Sequence, residues 1–263
     1  MSTETRWQPQ QIHANSLTRV AVDTGSLKLF PTDFTGIWFG CFESNDEVQD
    51  HPVTMLTRFD AGGFFPLHGH PGGEEILVLD GYFADETGVH PPGTYMLNPE
   101  GFIHRPHSDQ GCMTFVKLRQ HGGKNREQMR VNIFEGDWQP SPHANIEIQP
   151  IYTQPGFNEK VWFERWQPGT QLDIQVETEI KEIFVVQGTW QDERGCYPTN
   201  TWLRYIPNDP YQPASEDGCL IYVKTYPESD PVDRFVVADD FQHPEETVLW
   251  DQAHPPKRGD SAS

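Results

Sequence analysis

The residues from Thr57 to Asn98 return, in altered form, from Glu164 to Tyr205. A single offset of 107 (164 minus 57) holds without a gap for about 60 residues. It pairs Arg58 with Arg165, Gly62 with Gly169, Glu75-Ile76 with Glu182-Ile183 and Gly81 with Gly188. It continues through Asp85-Glu86 with Asp192-Glu193, Gly88 with Gly195, Pro91 with Pro198 and Pro106 with Pro213. Gly111-Cys112 falls on Gly218-Cys219, and Val116-Lys117 on Val223-Lys224. Chance does not keep one register over so many glycines and prolines. The segments ahead of each copy echo one another too, RVAVDTGSLKLFP from Arg19 against RVNIFEGDWQPSP from Arg130, at an offset of 111 (130 minus 19). Units of roughly 110 residues have an ordinary size for one small domain. Two similar domains are expected, over 1–125 and 126–230, followed by a C-terminal extension and tail over 231–263.

Within each unit the local signals are those of strands. EEILVLDGYF and KEIFVVQGTW are short β-branched and aromatic runs, each broken by a glycine suited to a hairpin turn or bulge. GTYMLN, CMTFVKL and CLIYVKT read the same way. Helical periodicity is weak, amounting to one turn around KNREQMR (124–130). The 22 glycines and 23 prolines are spread along the chain and punctuate it into many short strands. That pattern predicts an all-β fold, two small barrels or jelly rolls in tandem.

One stretch carries candidate chemistry: PLHGHPGGEEILVLDGY, residues 66–82. Side chains two apart on a strand share a face, so His68 and His70 point the same way. A carboxylate from the next strand, Glu74 or Glu75, could add a third ligand. His104, in NPEGFIHRPH, could return across the barrel as a fourth. Three imidazoles and one carboxylate suit a single transition metal ion and leave coordination sites open for water or substrate.

These residues resemble a known family. GFFPLHGHPGGEEILVLDG is similar to the first cupin motif, HxH followed by Glu and then by Gly seven positions later. GTYMLNPEGFIHRP is similar to the second, Gly followed by PxGxxH. The wording from His68 to Leu118 resembles the ChrR-like cupins, named after the zinc-binding domain of a bacterial anti-sigma factor. The match is specific over residues 15–120 and degenerate over 126–225. The resemblance implies a bicupin of two double-stranded β-helix barrels with one metal ion held by His68, His70, Glu74 and His104. The ion would be Zn or Fe(II), with Mn and Ni also admitted.

The repeat bears on the choice of glutamate. Glu182 stands opposite Glu75, whereas Lys181 stands opposite Glu74. A residue shared by a binding and a non-binding copy reads as structural, which leaves Glu74 for the ion and Glu75 for the fold. Under the same offset His68, His70, Glu74 and His104 become Gln175, Glu177, Lys181 and Tyr211, which is no metal site. The second barrel is expected to serve packing or a partner surface, with a metal-free pocket as the lesser alternative. His107 and Arg105 are expected to face away from the site. Cys112 and Cys219, at equivalent strand starts, read as small core residues rather than reactive thiols.

Function remains two-sided at this level. Related cupins cleave diketones and catechol-like rings, and the resemblance implies a metal-dependent dioxygenase acting on such a small molecule, with Glu74 doubling as general base. The alternative is a non-catalytic zinc sensor or regulatory cupin. The anti-sigma factor carries a helical sigma-binding domain ahead of its cupin. Only about 15 residues precede the first unit here, so direct anti-sigma activity is not expected. With 19 basic against 39 acidic residues the net charge is −20, which repels phosphate backbones and anionic lipid. Neither nucleic acid nor membrane is an expected partner, and pairing of two chains is left open. No apolar leader opens the sequence, and its four cysteines form no CxxC pair, so a reducing cytoplasm is expected.

Overall fold

The computed structural model describes residues 11–45, 51–123 and 125–228. The expected C-terminal extension over 231–263 lies outside the described residues. The fold is all-β, with one 3₁₀ turn at Thr24–Ser26. Among the described residues no helix is long and apolar enough to cross a membrane.

Two large sheets carry the molecule. The first has the strand order Met129–Asn132, Thr94–Asn98, Glu74–Gly81, Cys112–Leu118, Val53–Phe59, Ile37–Glu43, Phe30–Pro31. The main path of the second runs Val20–Asp23, Thr201–Tyr205, Ile180–Asp192, Cys219–Tyr226, Lys160–Trp166, Ile146–Tyr152, Gln139–Pro140. Short strands close each barrel, and one of their pairings repeats residue for residue. His107 pairs with Phe64 and Ser108 with Gly63; Ala214 pairs with Gln171 and Ser215 with Thr170, each 107 residues on.

The first strand of each unit joins the other unit's sheet. Val20–Asp23 runs antiparallel to Thr201–Tyr205, and Met129–Asn132 runs antiparallel to Thr94–Asn98. This exchange explains why KNREQMR forms no helical turn. Residues 126–128 have no regular structure and Met129 begins the crossing strand, while Lys124 lies outside the described residues. Helix propensity is a weak prior, and pairing with a sheet edge outweighs it.

Strand alternation sorts side chains into three cores. Ile76 and Val78 pack with Met55, Phe59 and Met96 inside the first barrel. Ile183 and Val185 pack with Trp166, Trp190 and Leu203 inside the second. The opposite faces meet between the barrels, where Leu56, Leu77 and Phe115 pack on Phe163, Phe184 and Tyr222. Phe115 stacks on Phe184 with centroids 4.3 Å apart. Burying such an aromatic ring stabilises by roughly 1.5–3 kcal/mol, so this face holds the two units together.

Each long strand bulges at Leu79 or Val186, two residues before its glycine, and the glycine stays in register, Gly81 opposite Cys112 and Gly188 opposite Cys219. Gly81 and Gly188 have φ of +70° and +77°, in the left-handed region that favours glycine. A Cβ at either position would lie 2.1 Å from the carbonyl oxygen of Gly111 or Gly218. The pairing register of each strand shifts nearby.

Candidate metal centre

Two short elements bring the histidines together. His68–Gly69 pairs antiparallel with Ile103–His104, so that His68 lies opposite His104, and His70 N donates to Phe102 O just beyond. Donor nitrogens of His68, His70 and His104 all lie within 4.8 Å of one another, and all three residues are buried. His70 Nε2 and His104 Nε2 are 2.9 Å apart.

Glu74 enters from the neighbouring strand. It shares parity with Ile76 and Val78, so its side chain enters the first barrel beside the imidazoles. Its Oε2 lies 3.6 Å from His70 Nε2 and 3.5 Å from His104 Nε2. Burial raises the Glu74 pKa, a shift only partly offset by His104 and by a hydrogen bond from Asn98 Nδ2. Glu75, of opposite parity, points toward the second barrel and contacts Lys224 and Tyr222.

Second contacts orient the rings. His68 Nδ1 lies 2.8 Å from Pro66 O, and His104 Nδ1 lies 3.4 Å from Asp85 Oδ2. Both partners only accept, which places the ring proton on Nδ1 and leaves a lone pair on Nε2 of each ring. For Asp85, burial alone would raise the pKa. Hydrogen bonds from His104, His90 and Thr87 outweigh it and hold the carboxyl well below the usual range.

This donor set fits a divalent transition metal. Two Nε2 atoms 2.9 Å apart match cis ligands of one ion, since metal–nitrogen bonds of about 2.0–2.1 Å place cis nitrogens roughly 3 Å apart. His68, His70 and His104 would hold the ion through Nε2, with Glu74 Oε2 beside them. The cavity in front of them is small, about 80 Å³. Its walls are mainly apolar, with Phe39, Met55, Phe59, Phe65, Ile76 and Val116 prominent. His68, His70 and Glu74 line its polar end, and His104 is fully buried behind them.

Other candidates lie elsewhere. Arg105 is exposed, and His107 Nδ1 turns back to Arg105 O at 3.2 Å. Cys112 and Cys219 are buried, and burial pushes each thiol up to about 12, as inert core residues require. Asp85, Asn98 and Arg130 surround the site and were not singled out in the sequence. A signal for two of them was present, because Asp85 repeats as Asp192 and Arg130 echoes Arg19. Arg19 pairs with Asp192 as Arg130 approaches Asp85 Oδ2 at 3.6 Å.

The second barrel carries the expected substitutions at the matching place. Gln175 and Tyr211 form an isolated bridge where His68 faces His104. Lys181 Nζ donates to Glu177 Oε1 and to Tyr211 Oη, each at 3.2 Å.

A two-barrel fold with a buried His cluster at the polar end of an apolar cavity defines a bicupin. The ChrR Cupin-like domain matches the chain twice, over residues 17–122 and 126–228, and the chain belongs to that family. No curated protein matches it in sequence. Among solved structures, a putative dioxygenase from Nostoc punctiforme is similar at a TM-score of 0.69 and 11% identity, over 84% of this chain and 85% of that one. A putative glyoxylate-induced protein from Pseudomonas aeruginosa is similar at a TM-score of 0.63 and 10% identity, over 88% and 98%. The bacterial pirin YhhW from Escherichia coli, in complex with nickel(II), is similar at 0.61 and 10% identity, over 81% and 100%.

Proposed function

We propose that the first barrel binds one divalent transition metal through His68, His70, His104 and Glu74, and acts as a dioxygenase on a small diketone- or catechol-like molecule. The observation that carries this reading is the meeting of three imidazoles and a carboxylate at the polar end of an otherwise apolar cavity. Similarity in fold to a putative dioxygenase and to a nickel-bound pirin supports it.

A bound iron ion supplies Lewis acidity and one-electron chemistry toward a chelating substrate and oxygen. The chain's own residues do the rest. Phe39, Phe59 and Phe65 receive the apolar body of the substrate and keep water out. Asp85 engages His104 Nδ1 and so turns Nε2 toward the other imidazoles. Glu74 Oε2 is tied to Asn98, while Oε1 makes no hydrogen bond to the described residues. That leaves Oε1 as the acceptor for a substrate O–H or C–H proton.

The test is metal analysis of protein purified without added metal, followed by oxygen uptake with a panel of β-diketones and catechols. Stoichiometric iron with substrate-dependent uptake is expected. Tightly held zinc with no turnover of any panel member would overturn the dioxygenase and favour a zinc sensor instead.

A further inference from the structure

The second barrel keeps the cavity of the first but rebuilds its lining. Met55, Thr57 and Phe83 line the first cavity, and the residues 107 positions later, Trp162, Glu164 and Trp190, line the second. That second cavity has a volume of about 210 Å³. A barrel kept only for packing has no need of such a space, because unfilled volume forfeits dispersion contacts. Indoles wall it on several sides, with Trp166 and Trp190 in edge contact at 4.8 Å between centroids.

At the polar end a cation is already built in. Lys181 replaces Glu74, and its ammonium is held by Glu177 and Tyr211, which occupy the positions of His70 and His104. Burial opposes its charge, but Tyr211, Glu164 and Glu177 outweigh that and keep it protonated. An ammonium has three protons. Two are taken, and the third has no partner among the described residues, while Lys181 itself lines the cavity. On the wall, Glu164 accepts one indole N–H on each oxygen, from Trp162 at 2.7 Å and Trp166 at 2.8 Å. That fixes the carboxylate while leaving further lone pairs to accept a ligand proton.

We propose that the second barrel is a metal-independent binding site for an uncharged, hydroxyl-bearing ring, whose oxygen accepts from Lys181, whose hydroxyl proton goes to Glu164 and whose faces pack on the indoles. The placement of the charges selects for neutrality: a cation seated at the polar end meets Lys181, and an anion seated against the wall meets Glu164. Phenolic and saturated rings share this chemistry, and direct comparison separates them.

The experiment is calorimetric or NMR titration of the full chain, treated with a chelator, with phenol, cyclohexanol, glucose and myo-inositol, and with benzoate and benzylamine as charged comparators. At least one neutral ring is expected to bind with a dissociation constant below about 1 mM, and more tightly than both charged compounds. Lys181→Met is expected to weaken that binding by about tenfold or more, the loss typical of a charge-assisted hydrogen bond. Glu164→Gln, nearly isosteric and far less disruptive, is expected to weaken it as well. His68→Ala, in the other barrel, should leave it unchanged, which separates this site from the proposed metal centre whatever metal that centre holds. Failure of every neutral ring to bind, tighter binding of benzoate or benzylamine, full binding in both Lys181→Met and Glu164→Gln, or loss of binding in His68→Ala would each overturn the proposal.

Discussion

Glu75 of the first barrel and Lys224 of the second form a fully buried ion pair, with Oε1 and Nζ 2.5 Å apart. The same pair is made in reverse between Lys117 of the first barrel and Glu182 of the second. Each partner stands 107 residues from its counterpart (182 minus 75, 224 minus 117). The two units thus exchange charges across their common face as they exchange first strands. Tyr95, Tyr222 and His121 also hydrogen-bond Glu75, so its carboxylate is fully engaged in joining the barrels. A glutamate used this way is needed in both copies, whether or not a copy has a metal site.

Adjacent glutamates should therefore fail in different ways. Glu75→Gln leaves Lys224 buried without its counter-charge and is expected to cost about 3–5 kcal/mol of stability, while metal content per folded chain is unchanged. Glu74→Gln is expected to strip the metal while leaving the stability of the metal-free protein nearly unaltered. Chemical denaturation and metal analysis of both purified variants check this. A Glu75→Gln protein that is stable but metal-free would reverse the assignment.

The reciprocal pair permits a coupling measurement. Lys117→Met and Glu182→Gln each break one buried pair, and each is expected to destabilise by several kcal/mol. Because they remove the same contact, the double variant should lose less than the sum of the singles by about 1–3 kcal/mol. Strict additivity in urea melts would mean that the two side chains do not depend on each other.

Much of this was legible in the sequence because its causes are local. Gly81 and Gly188 repeat because the backbone takes a positive φ there and a Cβ has no room. His68 and His70 could be grouped because strand alternation puts both on one side. The split between Glu74 and Glu75 is the same alternation, read through the repeat. What the sequence concealed depends on pairing between distant segments. The offset changes from 107 to 111 before each copy, yet nothing in that change says that Val20–Asp23 and Met129–Asn132 cross to the other sheet. KNREQMR contains good helix formers, and only the neighbouring sheet edge shows why its end becomes a strand. For the same reason Arg130 could not be placed beside the first barrel's site.

Acid should loosen the interface between the barrels. Burial alone would raise Glu75 and Glu182, but Lys224 and His121 hold Glu75 well below its ordinary value near 4.5, and Lys117 lowers Glu182. With folded values depressed, the unfolded chain takes up protons first. The stabilisation is then complete above about pH 4.5 and falls as the pH drops through that value toward the folded ones. Urea midpoints measured from pH 7 to pH 3.5 should begin to fall near pH 6.5, because burial and Lys224 push His121 down to about 3 and the unfolded chain takes up that proton first, and should fall more steeply below about pH 4.5. Glu75→Gln should decline less steeply. A wild-type midpoint that holds steady down to pH 3.5 would contradict the depressed values.

Arg130 should tune the proposed metal site of the first barrel from the other unit's strand. Paired opposite Met96, it approaches Asp85 Oδ2 at 3.6 Å, lies 3.5 Å from Asn98 Oδ1 and donates to Thr87 Oγ1 at 3.1 Å. Its guanidinium also lies over the Phe102 ring. Asp85 in turn orients His104, and Asn98 orients Glu74, so Arg130 acts on two of the proposed ligands without touching the ion. Replacing such an outer partner typically costs about 10–100-fold in metal affinity. Arg130→Ala is expected to show a loss of that size in competition titrations against a metal-binding dye, with its far-ultraviolet spectrum unchanged. Arg19→Ala supplies the matched control, because it removes the same arginine–aspartate contact, with Asp192, from the barrel that lacks the histidines. It should leave metal affinity untouched. Equal losses in both variants would trace the effect to general loosening of the exchanged strands rather than to the placement of His104 and Glu74.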